Sequence, residues 1–211
     1  MAGTQKPDTQ KHSTQKPNTL KHRAVLALGS NLGESEDTLE RAVADLVAGG
    51  VQLVRASGLY RTAPVGGPAG QPDFVNAVIE VTTDLGAYEL LRLCNAVEAA
   101  HHRERLVRWG PRTLDIDVID YDGVISEDPV LTLPHPRAQE RAFVLVPWAQ
   151  MDPQARLTVT RRAEPSGERA DEVPAPLSRE VVSVAELSRT LLGADEDAIS
   201  YMREMKVPDQ P

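Results

Sequence analysis

The segment FVNAVIEV at residues 74–81 reads as a strand, with Val75, Ala77, Ile79 and Val81 on one face and Phe74 and Asn76 on the other. It follows a second strand pattern, VQLVRASGLYRT at 51–62, and a helix pattern flanks the pair on each side. Upstream, Leu39, Ala42, Val43, Leu46 and Val47 recur at the spacing of an amphipathic helix. Ser35, Glu36 and Asp37 supply its cap and a first turn matched to the helix dipole, and Gly49 and Gly50 stop it. Downstream, Leu90, Leu93, Cys94 and Val97 mark the inward stripe of a second helix over 87–104. Beyond the helices stand the short apolar run AVLAL at 24–28 and the alternating LDIDVID at 114–120.

Strand, helix, strand, strand, helix, strand is the split βαβ order. It predicts an α+β fold, a ferredoxin-like sandwich: an antiparallel sheet with helices on one face and the active site on loops and the opposite face. That order restricts topology and leaves function open. A chain of 211 residues has room for one core with appendages, and the domain is expected over 23–160. The first part, 1–22, holds the repeat TQKPDTQKHS and TQKPNTLKHR, too polar to offset its ordering entropy, and reads as a disordered low-complexity tail. Residues 161–182, polar and broken by prolines, read as a linker or inserted loop. A last helical stretch near 183–205 opens a C-terminal segment that runs to 211.

The chemistry concentrates where alternation puts Asp115 and Asp117 on the same side of one strand, roughly 6.5 to 7 Å apart. At that spacing they repel unless something cationic lies between them. Such a pair signals a hard divalent cation, a general acid and base, or a solvated surface. Immediately upstream, His101, His102, Arg103, Arg105, Arg108 and Arg112 face only Glu104 as an opposing charge. The net charge of −8 argues against bulk nucleic-acid binding or a polybasic membrane surface, so this local cluster points to a small anionic ligand, or else to a solvated helix end. Carboxylates that hold Mg²⁺ beside arginines that fork onto phosphate are recurring parts of phosphoryl transfer. No GxxxxGK[ST] segment is present, so the phosphate cradle is not a P-loop, and GSNLG at 29–33 reads as a strand-to-helix loop at the site's edge.

The loop TAPVGGPAGQPDFVN at 62–76 is longer than a hairpin needs, which makes it a functional flap or slack chain. It lands on Phe74 and Asn76, which suit either a flat heterocycle with hydrogen-bonding edges or a core ring beside a capping amide. In LTLPHPRAQERAFVLVPW at 131–148, two prolines flank His135, and Arg141 and Phe143 share a face if extended. Cys94 is the only cysteine, at an inward helical position, and reads as a buried inert thiol. No stretch approaches the roughly 20 apolar residues of a membrane helix, and no signal-type hydrophobic core stands at the N-terminus, so a cytoplasmic protein is expected.

Taken together, ALGSNLG, YRTAP, QPDFVNAV, RWGPRTLDIDV and LPHPRAQERAFVLVPW closely resemble the 6-hydroxymethyl-7,8-dihydropterin pyrophosphokinase family of folate biosynthesis, over about residues 23 to 153. The resemblance implies transfer of the pyrophosphoryl group of ATP, the co-substrate, to the pterin's hydroxymethyl oxygen, with release of AMP. Asp115 and Asp117 would hold two Mg²⁺ ions. Arg103, Arg105 and Arg112 would bind or close over the phosphates, with Trp109 on a mobile loop covering the site. Thr132, His135 and Arg141 match ATP-contacting positions, and Glu98 one near the nucleoside. For the pterin, Thr62, Ala63 and Val65 would give backbone contacts, Phe74 and Phe143 would sandwich the ring, and Asn76 would read its edge. The implied partners are these two small molecules, without nucleic acid or membrane, and the chain is expected to act as a monomer.

Two rivals differ in what they leave unexplained. Another Mg-dependent nucleotide-using transferase would account for Asp-x-Asp and not for Phe74, Asn76 and Phe143. An RNA-recognition domain shares the fold but stacks bases on aromatic residues of its central strands, and AVLAL has none.

Overall fold

The central strand β1 (His22–Ser30) carries apolar side chains on both faces, Leu26 and Leu28 on one and Val25 and Ala27 on the other. Burial from both sides is why AVLAL is a continuous apolar run and not an alternating one. The computed structural model describes residues 21–64, 68, 70–101, 112–162, 177–193 and 199–208. Of the tail expected at 1–22, residues 1–20 lie outside them, and His22 already belongs to β1.

Helix α1 (Ser35–Ala48) carries Glu36 and Asp37 in its first turn and ends at Gly49 and Gly50. Gly50 has a φ of 107°, a left-handed conformation that side-chain-bearing residues rarely adopt. The chain then enters β2 (Val51–Ala56) and β3 (Gly58–Thr62), both antiparallel to β4 (Phe74–Thr83). The single strand expected at 51–62 is interrupted at Ser57. There the Ser57 N–H donates to the Val78 carbonyl, and the hydroxyl accepts the Val78 N–H at 2.9 Å. A side chain thus replaces a ladder acceptor, and the strand pivots without orphaning a buried group.

Helix α2 (Ala87–Ala100) starts where Glu89 Oε2 accepts the Gly86 N–H at 2.9 Å. It ends at Ala100, and residues 102–104 of the longer expected helix lie outside the described ones. His101 Nε2 then bonds Asp45 of α1 at 2.8 Å, so this member of the basic cluster ties two helices together and is not directed at a ligand. The edge strand β5 (Asp115–Tyr121) pairs antiparallel with β1. Beyond β5, β6 (Ser126–Asp128) and β7 (Leu131–Leu133) form a small hairpin.

Leu39, Val43 and Leu46 of α1 and Leu90, Cys94 and Val97 of α2 pack on the sheet face formed by Leu26, Ile79, Val81, Ile116 and Val118. Burial pushes the Cys94 thiol up to about 12, which keeps it protonated and inert at neutral pH. The opposite face carries a second apolar layer. Helix α3 (Ala142–Met151) sets Val144, Leu145 and Trp148 against Val25, Val78 and Ile119. That layer covers one end of the face, and the other end holds the cleft.

The C-terminal third departs from expectation. The segment expected as linker at 161–182 includes strand residues of β8 (Arg156–Arg162) and β9 (Leu177–Ser183), which pair antiparallel; residues 163–176 lie outside the described ones. The helix expected near 183–205 is also shorter. Helix α4 (Val184–Leu192) is capped by Ser183 Oγ, which accepts the Glu186 N–H, and Ile199–Glu204 forms β10, antiparallel to β3. The main sheet therefore runs β10, β3, β4, β1, β5. An open edge of β3 supplies backbone partners that the local pattern of ISYMRE does not reveal. The pairing is sealed by Tyr201 packed edge-on to Tyr60 at 5.5 Å and by Arg203 paired with Glu36 at 2.6 Å and Glu40 at 2.7 Å. Among the described residues, no helix is long and apolar enough to cross a membrane.

Candidate active site

The cleft is built across three neighbouring strands. Gly29 of β1 pairs with Asn76 of β4 on one side and Asp115 of β5 on the other, and Ala27 pairs with Val78 and Asp117. With strands about 4.8 Å apart, Asn76 and Asp115 stand roughly 10 Å from one another across the small residue between them. A Cβ at Gly29 would meet Asn76 Oδ1 at 3.1 Å and Phe74 Cδ1 at 3.8 Å, so glycine keeps this floor open. Thr62 at the end of β3 and Ala63 and Pro64 after it, together with Arg137, Glu140, Arg141 and Phe143 around the start of α3, wall a cavity of about 260 Å³.

On the β4 side, Asn76 is buried and its Nδ2 donates to Thr62 Oγ1 at 2.9 Å, which fixes the orientation of the amide. Phe74 is only half-buried and lines the cavity, so it is not the core ring that its sequence also allowed. Phe143, the chain's other phenylalanine, lines the same cavity from α3. Both phenylalanines are thus placed where a flat ring could lie against them and not in either apolar layer's centre.

The β5 side is charged. The Arg112 guanidinium contacts Asp115, and Arg141 Nη1 lies 2.8 Å from Asp117 Oδ2. His135 Nε2 stands 3.8 Å from the same oxygen, and the Arg141 guanidinium sits 5.4 Å from the centre of the Phe143 ring. Each aspartate therefore has an arginine partner, and these guanidiniums supply the positive charge that two neighbouring carboxylates require. His135 is held by its N–H, which donates to the Ile119 carbonyl at 2.9 Å, while its Nδ1 accepts the Arg137 N–H at 3.2 Å. A neutral His135 thus carries its proton on Nε2, toward Asp117. Burial holds its pKa below the ordinary value; the Asp117 charge opposes that shift and Arg141 adds to it.

Of the residues named from the sequence, Thr62, Ala63, Phe74, Asn76, Arg112, Asp115, Asp117, Arg141 and Phe143 line this one cavity. Thr132 instead lines a separate cavity of about 400 Å³ between β7 and β8, which it shares with His135, and its Oγ1 donates to the Asp128 carbonyl at 3.0 Å. Glu98 lies on the buried side of α2, where Oε1 accepts the Ile116 N–H at 2.7 Å; the contact pins α2 to β5. Val65, Arg103, Arg105 and Trp109 lie outside the described residues. The GSNLG loop, expected at the site's edge, supplies the cleft floor at Gly29. A glycine directly after an apolar strand run is the signal for it. Arg137 and Glu140 also line the cavity, and nothing in their spacing announced it.

Among the described residues, no group of three His, Cys, Asp or Glu side chains is placed to hold a metal. The paired carboxylates of Asp115 and Asp117 are a donor set that fits Mg²⁺, which takes one or two carboxylates and completes its octahedron with water and substrate phosphates. Paired carboxylates, arginines and two phenylalanine rings lining one cavity at the open end of an α+β sandwich define a small-molecule transferase cleft, with aromatic lining joined to an anion pocket. The chain belongs to the 7,8-dihydro-6-hydroxymethylpterin-pyrophosphokinase (HPPK) family, whose model matches residues 25–153.

Relatives bear the name 2-amino-4-hydroxy-6-hydroxymethyldihydropteridine pyrophosphokinase. The protein of Methylorubrum extorquens is 46% identical over 132 residues, 62% of this chain and 83% of that protein. The Bacillus subtilis protein is 41% identical over 138 residues, 65% of this chain and 82% of its own length. Solved chains of Plasmodium falciparum HPPK-DHPS share the fold, with a TM-score of 0.56 over 89% of this chain at 13% identity. This chain spans about half their length, 49%. All of β8, β9, α4 and β10 follow the segment that the family model matches.

Proposed function

We propose that the protein transfers the pyrophosphoryl group of ATP to the hydroxymethyl oxygen of 6-hydroxymethyl-7,8-dihydropterin in folate biosynthesis, acting as a monomer in the cytoplasm. The hydroxyl oxygen bonds to the β-phosphorus, the bond from that phosphorus to the α,β-bridging oxygen breaks, AMP leaves with the bridging oxygen, and the hydroxyl proton is released. The observation that carries the reading is the joining of Phe74, Asn76 and Phe143 to Asp115 and Asp117 in one cavity.

The pterin ring would lie between Phe74 and Phe143, with its polar edge against Asn76, whose amide Thr62 already orients. Asp115 and Asp117 would hold Mg²⁺, two ions in the full reading, whose chemistry is to neutralise the polyphosphate and acidify the attacking hydroxyl. Arg112 and Arg141 pair with those aspartates and stand where a guanidinium could fork onto phosphate oxygens. His135, with its proton on Nε2, would donate to an anionic oxygen at the same end of the cleft. Arg103, Arg105 and Trp109 are assigned to the phosphate side by family resemblance. So are Thr132 and Glu98 to ATP, and Val65 to the pterin.

Incubation with ATP, Mg²⁺ and 6-hydroxymethyl-7,8-dihydropterin, followed by chromatography of the nucleotides, tests the proposal. AMP formed in proportion to pterin is the expected product. ADP, or ATP turnover indifferent to the pterin, would refute it.

A further inference from the structure

We infer that Asn31 is the positioning residue that couples the aromatic half of the cleft to its charged half. It follows β1 directly and is 3% exposed. Its backbone N–H donates to the Arg112 carbonyl at 3.0 Å, and its side-chain Oδ1 accepts the Arg112 N–H at 2.8 Å. Its Nδ2 donates to the Pro72 carbonyl at 3.1 Å. One amide thus closes a two-bond ring with Arg112 and reaches in the opposite direction to the chain just before Phe74.

Neither partner lies in a helix or strand, so no regular ladder fixes it. Arg112 contacts Asp115 through its guanidinium, and that ion pair is partly solvent-exposed, which makes it a weak anchor by itself. With its backbone held on both sides by a buried residue, the Arg112 side chain swings from a fixed root. Phe74 starts two residues after Pro72, so the same residue sets where the ring-binding wall begins. The inference rests on the pyrophosphokinase reading, since the relation being fixed is that between a ring pocket and a polyphosphate pocket.

The chemistry restricts what can stand here. Asparagine offers an acceptor and a donor from one short planar group. An aspartate keeps the acceptor for Arg112 and sets a carboxylate oxygen against the Pro72 carbonyl. An alanine removes both bonds, taking the side-chain partner from the part-buried Arg112 N–H and Pro72 carbonyl. The two substitutions therefore dissect the coupling.

The test has a catalytic arm and an arm that needs no turnover. In steady-state assays with ATP and 6-hydroxymethyl-7,8-dihydropterin, Asn31→Asp is expected to raise the pterin KM about tenfold while kcat stays within about threefold. Asn31→Ala is expected to lower kcat about 30-fold and raise the pterin KM as well. Combined with Arg112→Ala, Asn31→Ala should lower kcat by less than about threefold more, because the effect on chemistry passes through Arg112. In hydrogen exchange followed by mass spectrometry, Asn31→Asp should speed exchange in the peptide over 70–74 alone, and Asn31→Ala in that peptide and in 112–115. Unchanged pterin KM in Asn31→Asp, fully multiplicative effects in the double variant, or exchange equal to wild type in both peptides overturns the inference. A wild type that releases no AMP sinks the functional proposal, while the exchange arm still decides whether Asn31 joins the two segments. Should Asn31→Ala fail to fold, the Asn31→Asp results decide alone.

Discussion

Replacing Asp117 by asparagine keeps the side chain's shape and removes its charge, which separates its two jobs. In the folded protein it answers Arg141 at 2.8 Å, with side-chain exposures of 32% for Asp117 and 20% for Arg141. An exposed pair is worth about 0–1 kcal/mol, and breaking a buried one costs about 3–5. At this burial, and with the Asn oxygen still able to accept from Arg141, a loss of about 1–2 kcal/mol is expected, or a fall in Tm of roughly 3–6 °C for a chain of this size. Considered without Arg141, the same change should relieve repulsion and cost nothing, so the sign of the Tm shift tests the pairing. Catalysis should suffer far more. If the carboxylate holds Mg²⁺, kcat falls at least about 10³-fold, equivalent to about 4 kcal/mol. Melts with and without Mg²⁺ and a non-hydrolysable ATP analogue give a readout independent of turnover. At 100 times Kd the ligands should stabilise wild type by about 2.7 kcal/mol, and Asp117→Asn should lose most of that gain. Turnover within tenfold of wild type would refute the metal assignment, and a Tm more than about 15 °C lower would show a structural role instead.

Gly29→Ala places a Cβ 3.1 Å from an amide oxygen that cannot retreat freely while Thr62 holds its other end; the pterin KM should rise about tenfold with the ATP KM within about twofold, and equal effects on both would disprove the floor assignment. His135 has a folded pKa below 6.5, so as pH falls through 6.5 the unfolded chain takes its proton first, and stability present above that value is lost until the lower folded value is reached. In Mg²⁺-free melts between pH 7 and 5, His135→Asn should therefore show a flatter acid limb than wild type, and parallel limbs would contradict the burial argument. Ending the chain at Gly193 removes β10 and with it the buried Ile199 and Met205. At about 1.5–3 kcal/mol each, their loss should lower the Tm by about 10 °C or more, and an unchanged melt would show that the strand adds nothing to the domain.

The sequence carried the helix layer and the cleft floor unequally, and the reason is the range of the interactions involved. Val75, Ala77, Ile79 and Val81 reach the helix layer as their period requires, because a strand's two faces are fixed by the pleat within a few residues. The same parity sends Phe74, Asn76, Asp115 and Asp117 to the opposite side, so the cleft's chemistry was legible before any topology was known. The partners of those residues were not. Arg141 reaches Asp117 across 24 residues and Asn31 reaches Arg112 across 81, and no local period encodes a contact at that separation. The C-terminal strand shows the same limit from the other side. ISYMRE has no strong period of its own and becomes a strand because β3 offers an unpaired edge and Glu36 and Glu40 of α1 wait for Arg203. Glu98 marks the sharper lesson: its carboxylate is spoken for by the Ile116 N–H in the strand that bears both aspartates. A residue that seats this strand against α2 fixes the height of Asp115 and Asp117 above the cleft floor through the backbone it holds. Removing its carboxylate should therefore disturb catalysis through the backbone of β5.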